Sequence, residues 1–277
     1  MTLPKVGSWR TFIYRLRYLF LIFFIFFLAF GLIGLLFNLH WGFFFGLAFA
    51  IMIFIIISFW GEKLILVFAK ARYVTDDEIL INQVKNFCCH CEIPEVKIYW
   101  SNVFVNNLYY TNSYFGKPAL IIGKNIYKTF SRNELNSLIY ASLLKLKSNE
   151  AKHRTVASLI FLILYSPVYL LRSASGNQSA KDVLNIFLYP AYYLKSKLYE
   201  KEEMILSFDQ EVGQLDGLRK DYISALFKVN HLPVCSESSV GGLLMNELNH
   251  VKNQTDDVLK YLLIDHVSVE ARVKALK

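Results

Sequence analysis

Apolar side chains dominate the start of this chain. From Phe12 to Trp60 the chain is almost unbroken apolar side chain, with a short break at Asn38-Leu39-His40-Trp41. Tyr18 to Phe37 carries no charge, and Gly42 to Trp60 repeats the pattern. Each run is long enough to cross a hydrocarbon core of about 30 Å. A signal peptide would be followed by a cleavage site and a soluble chain, whereas here a second apolar run follows at once. Soluble helices that are apolar all round at this length are rare. The pattern therefore predicts a transmembrane hairpin over residues 1–72. A second apolar region runs from Val156 to Leu171, with Pro167 inside it to kink it. The polar link Arg172 to Asp182 follows, then Val183 to Leu194 with Pro190 and Tyr189, Tyr192 and Tyr193. This predicts a second membrane hairpin over 155–195, whose latter arm is either a tilted span or a helix lying at the interface.

Between and after these regions the periodicity changes. Ile79, Leu80, Val84, Phe87 and Cys88 recur at helical spacing, Asp76 and Asp77 suit a first turn, and Glu92-Ile93-Pro94 ends the element. Val96 to Trp100 and Pro118 to Gly123 read as strands, and the Asn- and Tyr-rich stretch Val103 to Phe115 as a strand or loop system. Ser131-Arg132-Asn133-Glu134 is a capping box. Leu135, Leu138, Ile139, Ser142, Leu143 and Leu146 then predict a one-sided amphipathic helix ending at Lys147. Glu200 to Asp216, stopped by Gly217, and Asp221 to Val229 read as further helices. Cys235 to Val240 reads as a Ser-rich loop, Leu243 to His250 as a short helix, and Ser268 to Lys277 as a basic final segment. The intervening unit is a mostly helical α+β domain with a small sheet, split by the second hairpin into 73–154 and 196–277.

Charge orients this arrangement. Lys5, Arg10, Arg15 and Arg17 precede the first span, and Lys63, Lys70 and Arg72 follow the second, with Glu62 as the one acid near them. The link between the spans has no Lys or Arg. Positive charge stays inside, so the N-terminus and the main domain are expected in the cytoplasm. Part of the net charge of +8 is this membrane-edge charge, suited to anionic lipid headgroups. No basic helix interleaved with exposed aromatics argues for nucleic acid. The cluster Cys88-Cys89-His90-Cys91 lacks the spacing that lets paired sulfurs reach one zinc ion. Adjacent cysteines on a helix face different ways, which favours core and surface roles, and a cytoplasmic position disfavours disulfides.

The order of segments carries a resemblance. It includes the opening hairpin, Tyr73-Val74-Thr75, Val96 to Tyr99 and Asn106 to Thr111. It continues through Ala119 to Tyr127, Ser131 to Leu135, a second apolar hairpin, Ile223 to Val229 and the tail Asp265 to Leu276. In this order and spacing the chain resembles the HtpX-type membrane zinc metallopeptidases, grouped with the yeast-type CAAX prenyl proteases. The resemblance implies an integral membrane α+β protein of the bacterial inner membrane: two helical transmembrane hairpins around a mostly helical cytoplasmic metallopeptidase-like domain with a small sheet.

Such enzymes hold zinc with two histidines at i and i+4 on one helix, use the intervening glutamate as general base, and take a later glutamate as third ligand. The resemblance places these positions on Ala141, Ser142, Lys145 and Ile205, with an aspartate kept as Asp209. Alanine and isoleucine have no lone pair, and a lysine ammonium repels a cation. No metal or other cofactor is expected, and the chain reads as a pseudopeptidase. In the family an extended peptide pairs with an edge strand beside the metal helix. The matching segment here is Asn107, Leu108, Tyr109, Tyr110 and Thr111. The expected partners are membrane proteins or peptide segments and the lipid bilayer, with a place in a larger membrane complex. Two other readings stay open. One is a peptidase with a non-standard site, from Ser142 with Lys145 or from Glu247 with His250 in Asn246-Glu247-Leu248-Asn249-His250. The other is a purely structural subunit whose groove is filled.

Overall fold

A computed structural model describes residues 9–37, 41–102, 108–147, 151–153, 155–160, 162–163, 202–215, 217–231 and 269–276. Two long helices, α1 (Trp9–Phe37) and α2 (Gly42–Phe68), open it. They pack antiparallel through glycine. A Cβ on Gly34 would overlap the Gly42 carbonyl, and a Cβ on Gly46 would overlap the Phe30 carbonyl. Backbones that close require residues without side chains at the crossing, a device suited to apolar surroundings. Further along the pair, the Phe23 and Phe54 rings meet edge-on with centroids 4.2 Å apart. Among the described residues, α2 is the one helix long and apolar enough to cross a membrane, and the apolar part of α1 that qualifies, Phe23–Leu36, is shorter. Phe44, Phe45, Phe49, Met52 and Ile55 lie exposed along α2, an apolar surface that fits association with a membrane.

The chain then builds β1 (Arg72–Tyr73), α3 (Glu78–Cys91), β2 (Lys97–Ser101), β3 (Leu108–Thr111), β4 (Ala119–Gly123), α4 (Lys124–Thr129) and α5 (Arg132–Lys147). Helical residues 151–153, 155–160 and 162–163 follow. Later come α6 (Glu202–Gly213), α7 (Arg219–His231) and α8 (Val269–Ala275). The sheet order is β1-β2-β4-β3, with β2 and β4 parallel and the other pairs antiparallel. Across the register, Tyr99, Ile121 and Tyr109 face one way, toward α2 and the helical residues after 151. Ile98, Leu120 and Ile122 face the other way, into the core built by α3, α5, α6 and α7. The sheet is thus a middle layer, buried on both faces.

Local chemistry sets the helix ends. Asp77 caps α3 by accepting the Leu80 N–H at 2.9 Å, and Glu92 ends it in a left-handed conformation at φ 55°. Ser131 and Glu134 form the capping box: Glu134 N–H donates to Ser131 Oγ at 3.3 Å, and Ser131 N–H donates to Glu134 Oε2 at 2.9 Å. The one-sided stripe expected for α5 is replaced by burial nearly all round, from Leu135 and Asn136 to Leu144 and Leu146. The cause is position: α3, α6, α7 and β3 all pack against this helix. The second expected hairpin, 155–195, lies mainly outside the described residues.

The glycine crossing predicts its own sensitivity. Gly46→Leu or Gly34→Leu should push the helices apart, costing more than about 2 kcal/mol, and should slow disulfide formation in a Phe23→Cys/Phe54→Cys pair. Gly217→Ala enters open space and should shift stability by less than about 0.5 kcal/mol. Equal thermal midpoints in detergent for all three variants would contradict this packing.

Candidate functional site

The helix that the resemblance singles out is α5, and its central residues are inside the protein. Ala141 and Ser142 are buried, Leu143 and Leu144 with them, and Lys145 is half-buried. The Ser142 hydroxyl donates to the Leu138 carbonyl at 2.9 Å, one turn back on its own helix. Tyr140 fills the space toward α3, with its ring edge-on to Phe87 at 5.4 Å, and burial raises its phenol well above the ordinary range. This face offers methyl and methylene groups, a ring, one committed hydroxyl and the half-buried Lys145.

Helix α6 packs against α5 and brings in the other positions. Ile205 is half-buried. Asp209 is fully buried and paired: Arg272 donates Nε to Oδ2 and Nη2 to Oδ1, both at 2.8 Å, and the Tyr222 hydroxyl donates to Oδ1 at 2.7 Å. Arg272 Nη2 also reaches the Tyr222 oxygen at 2.8 Å. One carboxylate therefore ties α6, α7 and α8 together with a two-pronged, charge-assisted contact. A Cβ on Gly213 would come within 3.1 Å of Leu276, so α8 crosses α6 closely there.

Strand β3 borders the sheet and packs against α5. Among the described residues its outer edge has no strand beside it. Tyr109 and Thr111 are buried, and Leu108 and Tyr110 are half-buried. Asn107, the first groove candidate, lies outside the described residues, as do Glu247 and His250. Of the cysteine cluster, Cys88 and Cys91 are buried and Cys89 is exposed. Burial raises the Cys88 and Cys91 thiols. Among the described residues no group of three or more His, Cys, Asp or Glu side chains is placed to hold a metal ion.

Two features were not legible in the sequence. Glu134 does more than cap: its carboxylate also accepts Ser224 Oγ at 2.5 Å and Lys228 Nζ at 2.7 Å, which anchors α7 to the start of α5. Burial opposes ionisation of this carboxyl, yet the bonds from Lys228, Ser224 and Ser131 prevail and hold it at about 2. Asp77 is likewise lowered to about 2, chiefly by the Arg132 guanidinium, which donates to both its oxygens at 2.7 and 2.9 Å. The second feature is a polar junction where α2 meets the β3–β4 turn. Buried Glu62 accepts the Ser113 hydroxyl, and a Cβ on Gly116 would overlap both. Thr111 and Thr155 share a hydrogen bond of 3.1 Å, and Tyr114 OH meets His153 Nδ1 at 2.5 Å. The spacing Ser58, Gly61, Glu62, Ile65 on one face of α2 is the signal that marks Glu62 as inward-facing.

No protein-family model matches the chain, and neither a curated protein nor a solved structure matches it. Fold and site together define a mostly helical protein with a small mixed sheet and a long apolar helix of membrane length.

The carboxylates give a pH dependence with a definite sign. A carboxyl depressed in the folded state contributes stability that is complete above its unfolded value and lost as pH falls toward the folded one. With Asp77 and Glu134 near 2, stability should fall between about pH 5 and about pH 2, and Glu134→Gln should remove part of that fall. Chemical denaturation at a series of pH values measures it; a flat profile in that window contradicts the assignment. Separately, Asp209→Ala leaves Arg272 beside an empty site and should cost about 3–5 kcal/mol, with α8 exchanging amide hydrogens first. Unchanged protection of α8 would show that the pair does not hold it.

Proposed function

We propose that this chain is a catalytically inactive relative of the membrane metallopeptidases it resembles, and that it binds extended segments of membrane proteins as a subunit of a membrane complex. In this reading α1 and α2 both cross a bacterial inner membrane, a second hairpin follows at 155–195, and the N-terminus and main domain are cytoplasmic. The observation that carries the proposal is the placement of β3 as an outer strand against α5. An extended segment pairs its backbone with Leu108 to Thr111, and its side chains alternate between the two sides of the strand. Beside that edge, the positions that hold zinc and the base in the enzymes are Ala141, Ser142, Lys145 and Ile205. Ser142, the nucleophile that a metal-free peptidase would need, spends its hydrogen on the Leu138 carbonyl. A bound segment is therefore held and released whole.

The test is a photo-crosslinking amino acid placed at Tyr110, with Phe227 as the control position, in protein expressed in membranes. The segment captured at Tyr110, made as a synthetic peptide, should bind the purified protein. It should protect the β3 amides from hydrogen exchange and emerge uncleaved. Elemental analysis of the same preparation should find no stoichiometric zinc. Cleavage of the peptide, or zinc bound one to one, would overturn the inactive reading. Binding without protection of β3 would overturn the edge as the site.

A further inference from the structure

A pocket of about 410 Å³ lies at one end of the sheet, rimmed by Lys85, Lys97, Lys117 and Glu95 and floored by Val74 and Ile98. Its place relative to α2 is set by contacts at both ends of the sheet. At the far end, Ser101 Oγ donates to the Ala69 carbonyl at 2.7 Å, just past the end of α2. At the near end, the Phe115 ring stacks on Phe59 with centroids 4.4 Å apart, and Phe115 N–H reaches the Ser58 carbonyl. Strands β2 and β4 thus run alongside the last turns of α2, and their first residues point back toward its apolar stretch. Phe59 lies in that stretch, and Phe115 is 69% exposed beside it. The turn carrying Phe115 therefore lies level with the end of that apolar stretch, where α2 turns polar at Glu62 and Lys63. Lys117 is two residues further on, and Lys97 N–H donates to the Pro118 carbonyl, which places both lysines at that level.

The charge at the rim is uneven. Glu95 pairs with Lys85 at 3.3 Å, while Lys97 and Lys117 are exposed and make no ion pair among the described residues. Two uncommitted ammonium groups over an apolar floor, next to an exposed aromatic pair, fit an amphipathic anion. Lysine binds phosphate as a point charge, and exposed phenylalanines beside lysines suit the boundary between acyl chains and anionic headgroups. We propose that this pocket binds the phosphate group of an anionic lipid through Lys97 and Lys117, with the first carbons of an acyl chain over Val74 and Ile98. The site is separate from β3 and stands whether or not that edge binds a peptide.

The full chain in detergent, titrated with phosphatidylglycerol, phosphatidylcholine or glycerol 3-phosphate, tests this by native mass spectrometry and thermal midpoint. Phosphatidylglycerol should bind and raise the midpoint, and phosphatidylcholine should not. Lys97→Gln with Lys117→Gln should weaken phosphatidylglycerol binding roughly tenfold or more. Lys97→Arg with Lys117→Arg should retain it, and so should Lys124→Gln with Lys128→Gln at the other end of the sheet. If glycerol 3-phosphate binds as tightly and is lost in the same glutamine variant, the phosphate is carried by a free ester instead of a lipid. Equal binding of both lipids, or a glutamine variant that binds like the parent, overturns the site.

Discussion

A sheet with apolar side chains on both faces has to be covered twice. In this protein the two covers are of different kinds. Ile98, Leu120 and Ile122 are covered by the helices around α5, an ordinary protein core. Tyr99, Tyr109 and Ile121 are covered by α2 and the helical residues after 151, which belong to the apolar part of the molecule. The sheet is therefore the element that couples the long apolar helices to the helical domain, and residues from its two faces report on two environments. Burial of each large apolar side chain contributes about 1.5–3 kcal/mol, so neither cover can be lifted without exposing several such groups.

That coupling is sealed by polar groups where α2 meets the β3–β4 turn. A carboxylate this buried is costly to leave without partners. Glu62 has the Ser113 hydroxyl, and Gly116 allows the turn to close over both. Neighbouring Ser58, Asn112 and Ser158 each keep a buried side-chain oxygen with no hydrogen-bond partner among the described residues. Buried water is the usual way such oxygens are satisfied. The Glu62–Ser113 contact therefore holds α2 in register against the sheet, which in turn fixes where Phe115, Lys97 and Lys117 sit relative to α2.

Much of this architecture was legible in the residues, because it is written locally. The capping box at Ser131–Glu134, the stop at Glu92 and the strands around Ile98 and Ile121 depend on near neighbours, and each appears within a residue or two of its expected place. What could not be read is what depends on distant partners. The periodicity of α5 pointed to one buried stripe, and only the arrival of α3, α6, α7 and β3 explains why Asn136, Ser137 and Ser142 are inside as well. Glu134 looked like a cap and is also the anchor of Ser224 and Lys228, some ninety residues away. Glu62 looked like a flanking charge because α2 was expected to end near Trp60, whereas the helix continues to Phe68 and turns that side chain inward.

The candidate site shows the same division between local and distant causes. Zinc ligands on a helix must reach an open position where a water and a substrate can enter. Ala141 and Leu144 are both buried in the core that α5 shares with α3, α6 and α7. Asp209 has a structural task in the same region. Its oxygens are taken by Arg272 and Tyr222, and removing it would strand a guanidinium between three helices. The Asp209–Arg272 pair attaches α8 to α6. With α6 and α7 packed on α5, and α8 on α6, the Asp209 cluster fixes how these helices sit behind the strand-bearing face of α5.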